Sequence, residues 1–307
     1  MSYSPLMRAG DVGIRVLDMP AAIDHYINVL GLIETGRDEA TGRVYLKAWD
    51  ETDHHSVVLR EATSPGMDFM GFKVESAETM ARLAKEIAAF GCPVEHIAAG
   101  THMNCGERIE FVAPTGHTFH LYAEKDVVGN GVPTTNPDVW PDGLQGMAPT
   151  RFDHCLLYGD DVDGSMKLFT DVLGLHCSEQ VMDGDFMIGC FLTCANKPHD
   201  IAFIRHEEKG KFHHASFYLD SWYEIQRAAD IISKKDVSLD IGPTRHGITR
   251  GGTIYFFDPS GNRNEVFSGG YIYHPDRPRL TWTADQVGKA IFYYDRKLNE
   301  NFLGVVT

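Results

Sequence analysis

Three side chains in the second half of the chain could together hold a metal ion. They are His154 in an apolar run at 152–158, His214 at the start of a second run at 214–219, and Glu265 just after the turn Pro259-Ser260-Gly261. Two imidazoles and one carboxylate suit a divalent ion. A set that leaves neighbouring positions open is the facial arrangement used by non-haem iron(II) oxygenases, which need those positions for substrate and oxygen. A sheet can supply all three ligands from one face, because alternate residues of a strand point the same way. Taken singly, a histidine is more often a core or surface hydrogen-bonding group, and a glutamate on a strand is more often a solvent-facing charge. At equivalent points of one repeated fold, the three reinforce each other. His213 adjoins His214, so only one of the pair is expected to face inward. The other is expected at the surface or beside the ligand.

The elements that must position these residues recur along the chain. Residues 12–18 read as a strand. The helix after it is capped by Asp18, has Pro20 in its first turn and an apolar stripe of Ile23, Tyr26, Ile27 and Leu30, and stops at Gly31. The second half repeats the plan with a strand at 152–158, a stripe of Met166, Phe169, Val172 and Leu173, and a stop at Gly174. Both helices end in Val-Leu-Gly-Leu, at 29–32 and 172–175. Each half then has a second strand and helix: 71–74 before 76–90, and 216–219 before a helix opened by the capping box of Ser221 and Glu224. Each closes with two strands around a tight turn, Pro114-Thr115-Gly116 or Pro259-Ser260-Gly261. A stretch rich in Pro, Gly, Asn and Asp at 129–146 reads as a linker, and 283–302 reads as an added helix with Val287, Ile291, Tyr294 and Leu298 on its apolar face.

The expected fold is α+β. Two domains, 1–130 and 147–307, would each contain two βαβββ modules curled into a half-open barrel, with a C-terminal helix added to the second. A concave sheet of this kind is a natural place for a small ligand. The internal repeat sets Gly13, Phe69 and His120 at the first-half positions corresponding to the three ligands. Glycine and phenylalanine cannot bind a metal, so the first domain is expected to be metal-free, with His120 the one potential ligand there.

Composition narrows the function. The chain has 307 residues and a formal net charge of −15, with Lys and Arg scattered, which argues against a nucleic-acid partner. No apolar run reaches about 18 residues, so no membrane span is expected. The first residues lack the apolar core of a signal peptide, and a cytoplasmic location follows by default. The six cysteines form no Cys-x-x-Cys pair and are expected to be reduced and mostly buried.

The run from His246 through Ile254, Tyr255, Asp258, Pro259 and Gly261 to Glu265 resembles the signature of extradiol ring-cleavage dioxygenases in the vicinal-oxygen-chelate superfamily. The likeness extends over the whole chain and is greatest to the catechol 2,3-dioxygenase branch. It implies extradiol (meta) cleavage of catechol and alkylcatechols by O2 to 2-hydroxymuconate semialdehydes, in bacterial aromatic degradation. It also implies Fe(II) held by His154, His214 and Glu265, with Mn(II) as the alternative ion, and a homotetramer. By the same likeness, His199 is the residue beside the oxygen site, and His246 and Tyr255 contact the bound catecholate. An imidazole of near-neutral pKa at His199 would serve as general acid–base. An apolar wall is needed to orient the ring, and Phe191, Ile204, Ile291 and Phe302 are the expected lining. A glyoxalase-like isomerase and a metal-free module binding a small aromatic drug are the competing readings, since fold does not decide function.

Overall fold

The helices begin where short polar side chains can satisfy their free amides. In the computed structural model, which describes residues 4–307, Asp18 accepts from the Ala21 amide at 2.9 Å and Ser76 from the Thr79 amide at 3.1 Å. Ser221 and Glu224 form the reciprocal capping box. Each such cap is worth about 1 kcal/mol.

The first half runs β1 (Leu6–Val16), α1 (Met19–Asp24), β2 (Ile33–Asp38), β3 (Arg43–Lys47) and β4 (Val57–Glu61), then β5 (Gly66–Val74), α2 (Ala77–Phe90), β6 (Val94–Ile97), β7 (Arg108–Val112) and β8 (Thr118–Tyr122). The second runs β9 (Arg151–Gly159), α3 (Val162–Lys167), β10 (His176–Asp183), β11 (Phe186–Thr193) and β12 (Ile201–Arg205), then β13 (Lys211–Leu219), α4 (Trp222–Lys234), β14 (Leu239–Arg245), β15 (Gly251–Phe257) and β16 (Arg263–Gly269). The tail adds β17 (Leu280–Thr283), α5 (Val287–Ile291) and α6 (Glu300–Gly304). Both α1 and α3 continue into a π-helical turn, at His25–Leu30 and Leu168–Val172. Gly31 ends the first of these with φ 90°, a conformation that costs glycine little.

Among the described residues the strands make two sheets. Their orders are β2-β3-β4-β1-β5-β8-β7-β6 and β14-β15-β16-β13-β9-β12-β11-β10-β17. Each is two βαβββ modules joined at a central antiparallel pair, β1 with β5 and β9 with β13. This is the expected α+β architecture. The segment 129–146 carries no strand or helix.

The first helix of each half packs across to the other half. Tyr26, after α1, donates to Asp258 at 3.2 Å, and Phe169, after α3, packs on Phe119 with ring centroids 4.9 Å apart. The turn at 259–261 also braces the first half, where the Leu17 amide donates to Ser260 Oγ at 2.8 Å. One continuous buried apolar cluster therefore runs through both halves.

The tail departs from the single helix expected at 283–302. It is helical in two short pieces, and 292–299 between them is not helix. Phe292 turns out of helical geometry (φ −122°, ψ 87°) and is buried, and the next amide, Tyr293, donates to the Arg245 carbonyl at 2.8 Å. Burying Phe292 against Phe302, in the cluster that also holds Tyr255, outweighs continuing the helix. Tyr294 and Leu298, expected on the apolar face, are consequently exposed. Thr283 makes no cap hydrogen bond, its hydroxyl donating to Asp285 instead.

Candidate metal centre

Strand register sets the site. His154 on β9 faces Ser216 on β13, Ser216 faces Glu265 on β16, and Glu265 faces Tyr255 on β15, so four residues form one row across the sheet. His214 lies two residues before Ser216 on the same face. One potential ligand atom from each of His154, His214 and Glu265 lies within 4.8 Å of the others, and all three residues are buried. Glu265 Oε2 is 3.0 Å from His154 Nε2 and 3.3 Å from His214 Nε2.

Each histidine of this set follows a β-bulge. Between the pairs Ser216–His154 and Phe217–Phe152, Asp153 is the extra residue on β9. Between Phe212–Leu157 and His214–Leu156, His213 is the extra residue on β13. A bulge frees a side chain from strict alternation and re-aims its neighbour. Here both extra residues turn toward the adjacent imidazole. An Asp153 oxygen lies 2.8 Å from His154 Nδ1, and His213 Nδ1 lies 2.7 Å from His214 Nδ1. His213 is therefore buried beside the ligand, not at the surface. Asp153 is itself paired with Arg151 at 2.8 Å and Lys197 at 3.3 Å, and Lys197 also reaches Asp200 at 3.1 Å.

The donor set fits a cation. His214 Nε2 and Glu265 Oε2 are buried and make no aligned hydrogen bond. Both point into the same space, and buried polar atoms left this way mark a place for an ion or another partner. Burial alone would raise the Glu265 carboxyl, yet the imidazoles of His154, His214 and His246 around it hold it well below the usual carboxylate range. Burial pushes His214 down to about 4. His154 is opposed by burial too, but hydrogen bonds to Asp153 and Glu265 raise it above the ordinary value.

The triad lies at the floor of a mostly apolar cavity. Leu156, Phe191, Ile248, Phe267, Ile291 and Phe302 form its wall, with His199, His246, Thr249 and Tyr255 at its polar edge. Larger clefts exist elsewhere, one bounded by the π-helical turn after α1, the start of β2 and residues 128–131 and 141–145, but no other described grouping of ligating side chains has metal-binding spacing. Of the expected lining, Phe191, Ile291 and Phe302 reach the cavity. Ile204 does not. It packs behind the wall in the cluster of Val181, Phe191, Ala202, Ile248 and Ala290, because its position on β12 turns it toward Gly189 on β11.

His246 Nδ1 donates to the Ile291 carbonyl at 2.5 Å, so Nε2 accepts from the Tyr255 hydroxyl at 2.9 Å. Burial and the Glu265 charge raise the Tyr255 hydroxyl well above its ordinary value, which keeps it a donor. Thr253 donates to Glu265 Oε1 at 2.5 Å. His199 packs on His154 with ring centroids 4.0 Å apart and against the edge of Phe191. The near-neutral pKa expected for His199 gives way to one well below the ordinary value, because its ring is fully buried and sits beside His154. Asp153, Thr253 and Ile248 were not anticipated, and for His213 the structure takes the second of its two expected places, beside the ligand. The adjacency of Asp153 and His213 to ligands was the available signal, but strand alternation argued against their facing the same site.

The register corrects the first-half alignment. Gly71 on β5 holds the place of Ser216, and it faces Asp11 on β1 and His120 on β8. The first-half counterparts are thus Asp11, Phe69 and His120, with Asp11 in the place assigned to Gly13. The offset is two residues because a strand presents the same face at every second residue. The Arg108 guanidinium fills the space among them. It reaches Asp11 at 2.5 and 3.2 Å and His120 Nδ1 at 3.5 Å, and lies over the Phe69 ring. Lys125 adds a second cation to Asp11 at 2.7 Å. The protein's own charges thus satisfy this carboxylate.

Two barrel-like sheets, with a two-His-one-carboxylate set in the second, define a non-haem metal-dependent oxygenase of the paired-module kind. Residues 67–126 match the model of the catechol 2,3-dioxygenase-like N-terminal domain, and 151–266 match that of the glyoxalase/bleomycin resistance protein/dioxygenase superfamily. The chain is 55% identical over 304 residues to a metapyrocatechase of Pseudomonas sp. strain CF600, covering 98% of this chain and 99% of that one. It is 27% identical to a manganese-dependent 2,3-dihydroxybiphenyl 1,2-dioxygenase of Geobacillus genomosp. 3, covering 94% of each. The solved 2,3-dioxygenase LapB of Pseudomonas sp. KL28 superposes with a TM-score of 0.90 at 49% identity, covering 92% of this chain and 99% of that one. The chain belongs to the extradiol ring-cleavage dioxygenases of the vicinal-oxygen-chelate superfamily, in the catechol 2,3-dioxygenase family.

Proposed function

We propose that the protein is an iron(II) enzyme that opens catechol and small alkylcatechols beside the diol, adding both atoms of O2 to give 2-hydroxymuconate semialdehydes. The observation that carries this reading is the buried His154, His214 and Glu265 set, with two unsatisfied ligand atoms at the floor of an apolar cavity. These three residues would hold the ion. Ferrous iron bound there supplies an electron path between a chelated diol and O2.

The chain's own residues supply position and protons. Phe191, Ile248, Ile291 and Phe302 exclude water and hold an aromatic ring flat against apolar surface. Tyr255 stays protonated, and its single O–H, which rests on His246 Nε2, can turn to an anionic diol oxygen when substrate enters. His246, fixed through the Ile291 carbonyl, keeps Nε2 on the cavity side as an acceptor. His199 enters the reaction neutral. It takes up a proton released by the substrate and returns it where negative charge develops on oxygen.

The domain division at 1–130 and 147–307 puts these roles in the second domain and leaves the first as scaffold. A homotetramer is expected, and apolar Val139, Trp140 and Ile272 on the surface suit subunit contact. The six cysteines are free thiols, which suits a reducing cytoplasm.

Manganese is the second reading, favoured by the manganese-dependent relative and by overlapping ligand preferences. The test is anaerobic reconstitution with ferrous or manganous ion, followed by catechol and air. A yellow ring-opened product is expected with iron, and none from His214→Ala or Glu265→Gln. A wild-type protein that opens no catechol with either ion overturns the reading.

A further inference from the structure

The two bulged residues beside the ligand histidines are not equivalent. Asp153 ends in a local ion-pair cluster. His213 instead reaches across the molecule, because its Nε2 lies 2.8 Å from the backbone carbonyl of Phe302 in the C-terminal tail. A carbonyl can only accept, so His213 Nε2 carries a proton. A neutral imidazole protonated there presents a bare lone pair at Nδ1. That lone pair is 2.7 Å from His214 Nδ1, and two lone pairs cannot face each other at that distance. His214 Nδ1 must therefore carry the proton, which leaves His214 Nε2 bare on the side of Glu265. The Phe302 carbonyl thus selects, through two imidazoles, the form of His214 that can bind a metal.

The tail that supplies this carbonyl is seated at the same place. Phe212 and Thr307 exchange two backbone hydrogen bonds, at 2.8 and 3.0 Å, and Arg263 Nη1 donates to the Val305 carbonyl at 2.7 Å. The Phe302 ring packs edge-on against His213 and also forms part of the cavity wall. One residue therefore closes the cavity with its ring and addresses a ligand with its backbone.

We propose that His213 is a positioning residue that couples seating of the C-terminal tail over the cavity to the metal-binding form of His214. With the tail seated, the proton order along Phe302, His213 and His214 is single-valued. With the tail lifted, His213 adopts either tautomer, and the ligand lone pair of His214 is no longer selected. The inference rests on His154, His214 and Glu265 being the metal ligands.

Coupling of this kind is reciprocal, which gives a test needing no substitution. Manganous ion added to the wild-type protein without substrate should slow hydrogen exchange at the Val305 and Thr307 amides by about ten-fold. Unchanged exchange overturns the proposal. Two variants separate the ends of the relay. His213→Gln keeps an amide that reaches the Phe302 carbonyl but has no acceptor at the Nδ1 position. It should bind manganese about ten-fold more weakly in competition with a chromophoric chelator, with tail exchange unchanged. His213→Asn places its amide oxygen near the Nδ1 position but falls short of the tail. It should keep metal affinity within about three-fold while tail exchange rises. Equal effects of the two variants on metal affinity overturn the proposal. The ligand assignment has its own control, since His214→Ala must abolish tight metal binding. If it binds like wild type, the metal site itself is misplaced.

Discussion

Asp153→Asn changes one atom at a place where three interactions converge, and its effect can be worked out from geometry. The carboxylate is buried, accepts from His154 Nδ1 through Oδ2 at 2.8 Å, and faces Arg151 and Lys197 through Oδ1. Asparagine keeps the shape but has one oxygen. Two cations draw that oxygen to their side, because an amide NH2 facing Arg151 and Lys197 leaves both without an acceptor. The NH2 is then turned toward His154 and donates to Nδ1. The His154 proton moves to Nε2, where it blocks the metal-facing lone pair. Loss of such a partner costs 10- to 100-fold in metal affinity, and the reversed tautomer puts this variant near about 100-fold, or about 2.7 kcal/mol. Lys197 keeps Asp200, so the stability of the metal-free protein should fall by only about 1–3 kcal/mol. Chelator competition reads the first quantity and urea unfolding of metal-free protein the second. If Asp153→Asn binds metal like wild type while losing stability, the carboxylate is merely structural and the tautomer reasoning is refuted.

Replacing His199 with Ala should lower turnover by about 100- to 10,000-fold with metal content unchanged; a near wild-type rate in stopped-flow assays would remove it from the proton path. Trimming Phe302 or Ile291 to Ala should change relative kcat/KM among substituted catechols by about ten-fold, the scale of one lost apolar contact, and identical ratios would place neither residue against the ring. Arg108→Met strands Asp11 with Lys125 as its remaining strong cation, so unfolding free energy should drop by about 3–5 kcal/mol, while turnover per folded, metal-loaded molecule is unchanged. His25 and His117 are each pushed down to about 4 by burial. Their folded values lie below the ordinary unfolded value of about 6.5, so the unfolded chain binds more protons between the two. Stability is complete above about pH 6.5 and is lost as pH falls toward 4, by about 2 kcal/mol per histidine at pH 5. Urea midpoints at pH 7.5 and pH 5 check this, and equal midpoints would show that neither ring is buried neutral.

Local chemistry was readable because it is decided by near neighbours. Asp18, Ser76 and Ser221 cap helices through atoms three residues away, and Gly31 stops a helix by its own backbone freedom. The types and spacing of His154, His214 and Glu265 singled out a metal set, and the sheet brings those three together because they share a face. The repeated strand and helix pattern likewise pointed to paired modules before any pairing was known.

Tertiary structure decided whatever depends on a partner strand or a distant segment. Register is a property of two strands, so only pairing could place Asp11, and not Gly13, opposite Gly71. The bulges at Asp153 and His213 exist only against β13 and β9, and they overturn the alternation that would have turned both side chains away. The tail broke into two helices because burying Phe292 against Phe302, in the cluster that also holds Tyr255, outweighs helix propensity, an energy that no local window contains. The amino-acid sequence by itself determined which groups could do chemistry. Folding determined which of their protons are fixed and by what, since a tautomer is set by the atom opposite it, and Phe302 stands 89 residues from the imidazole it addresses.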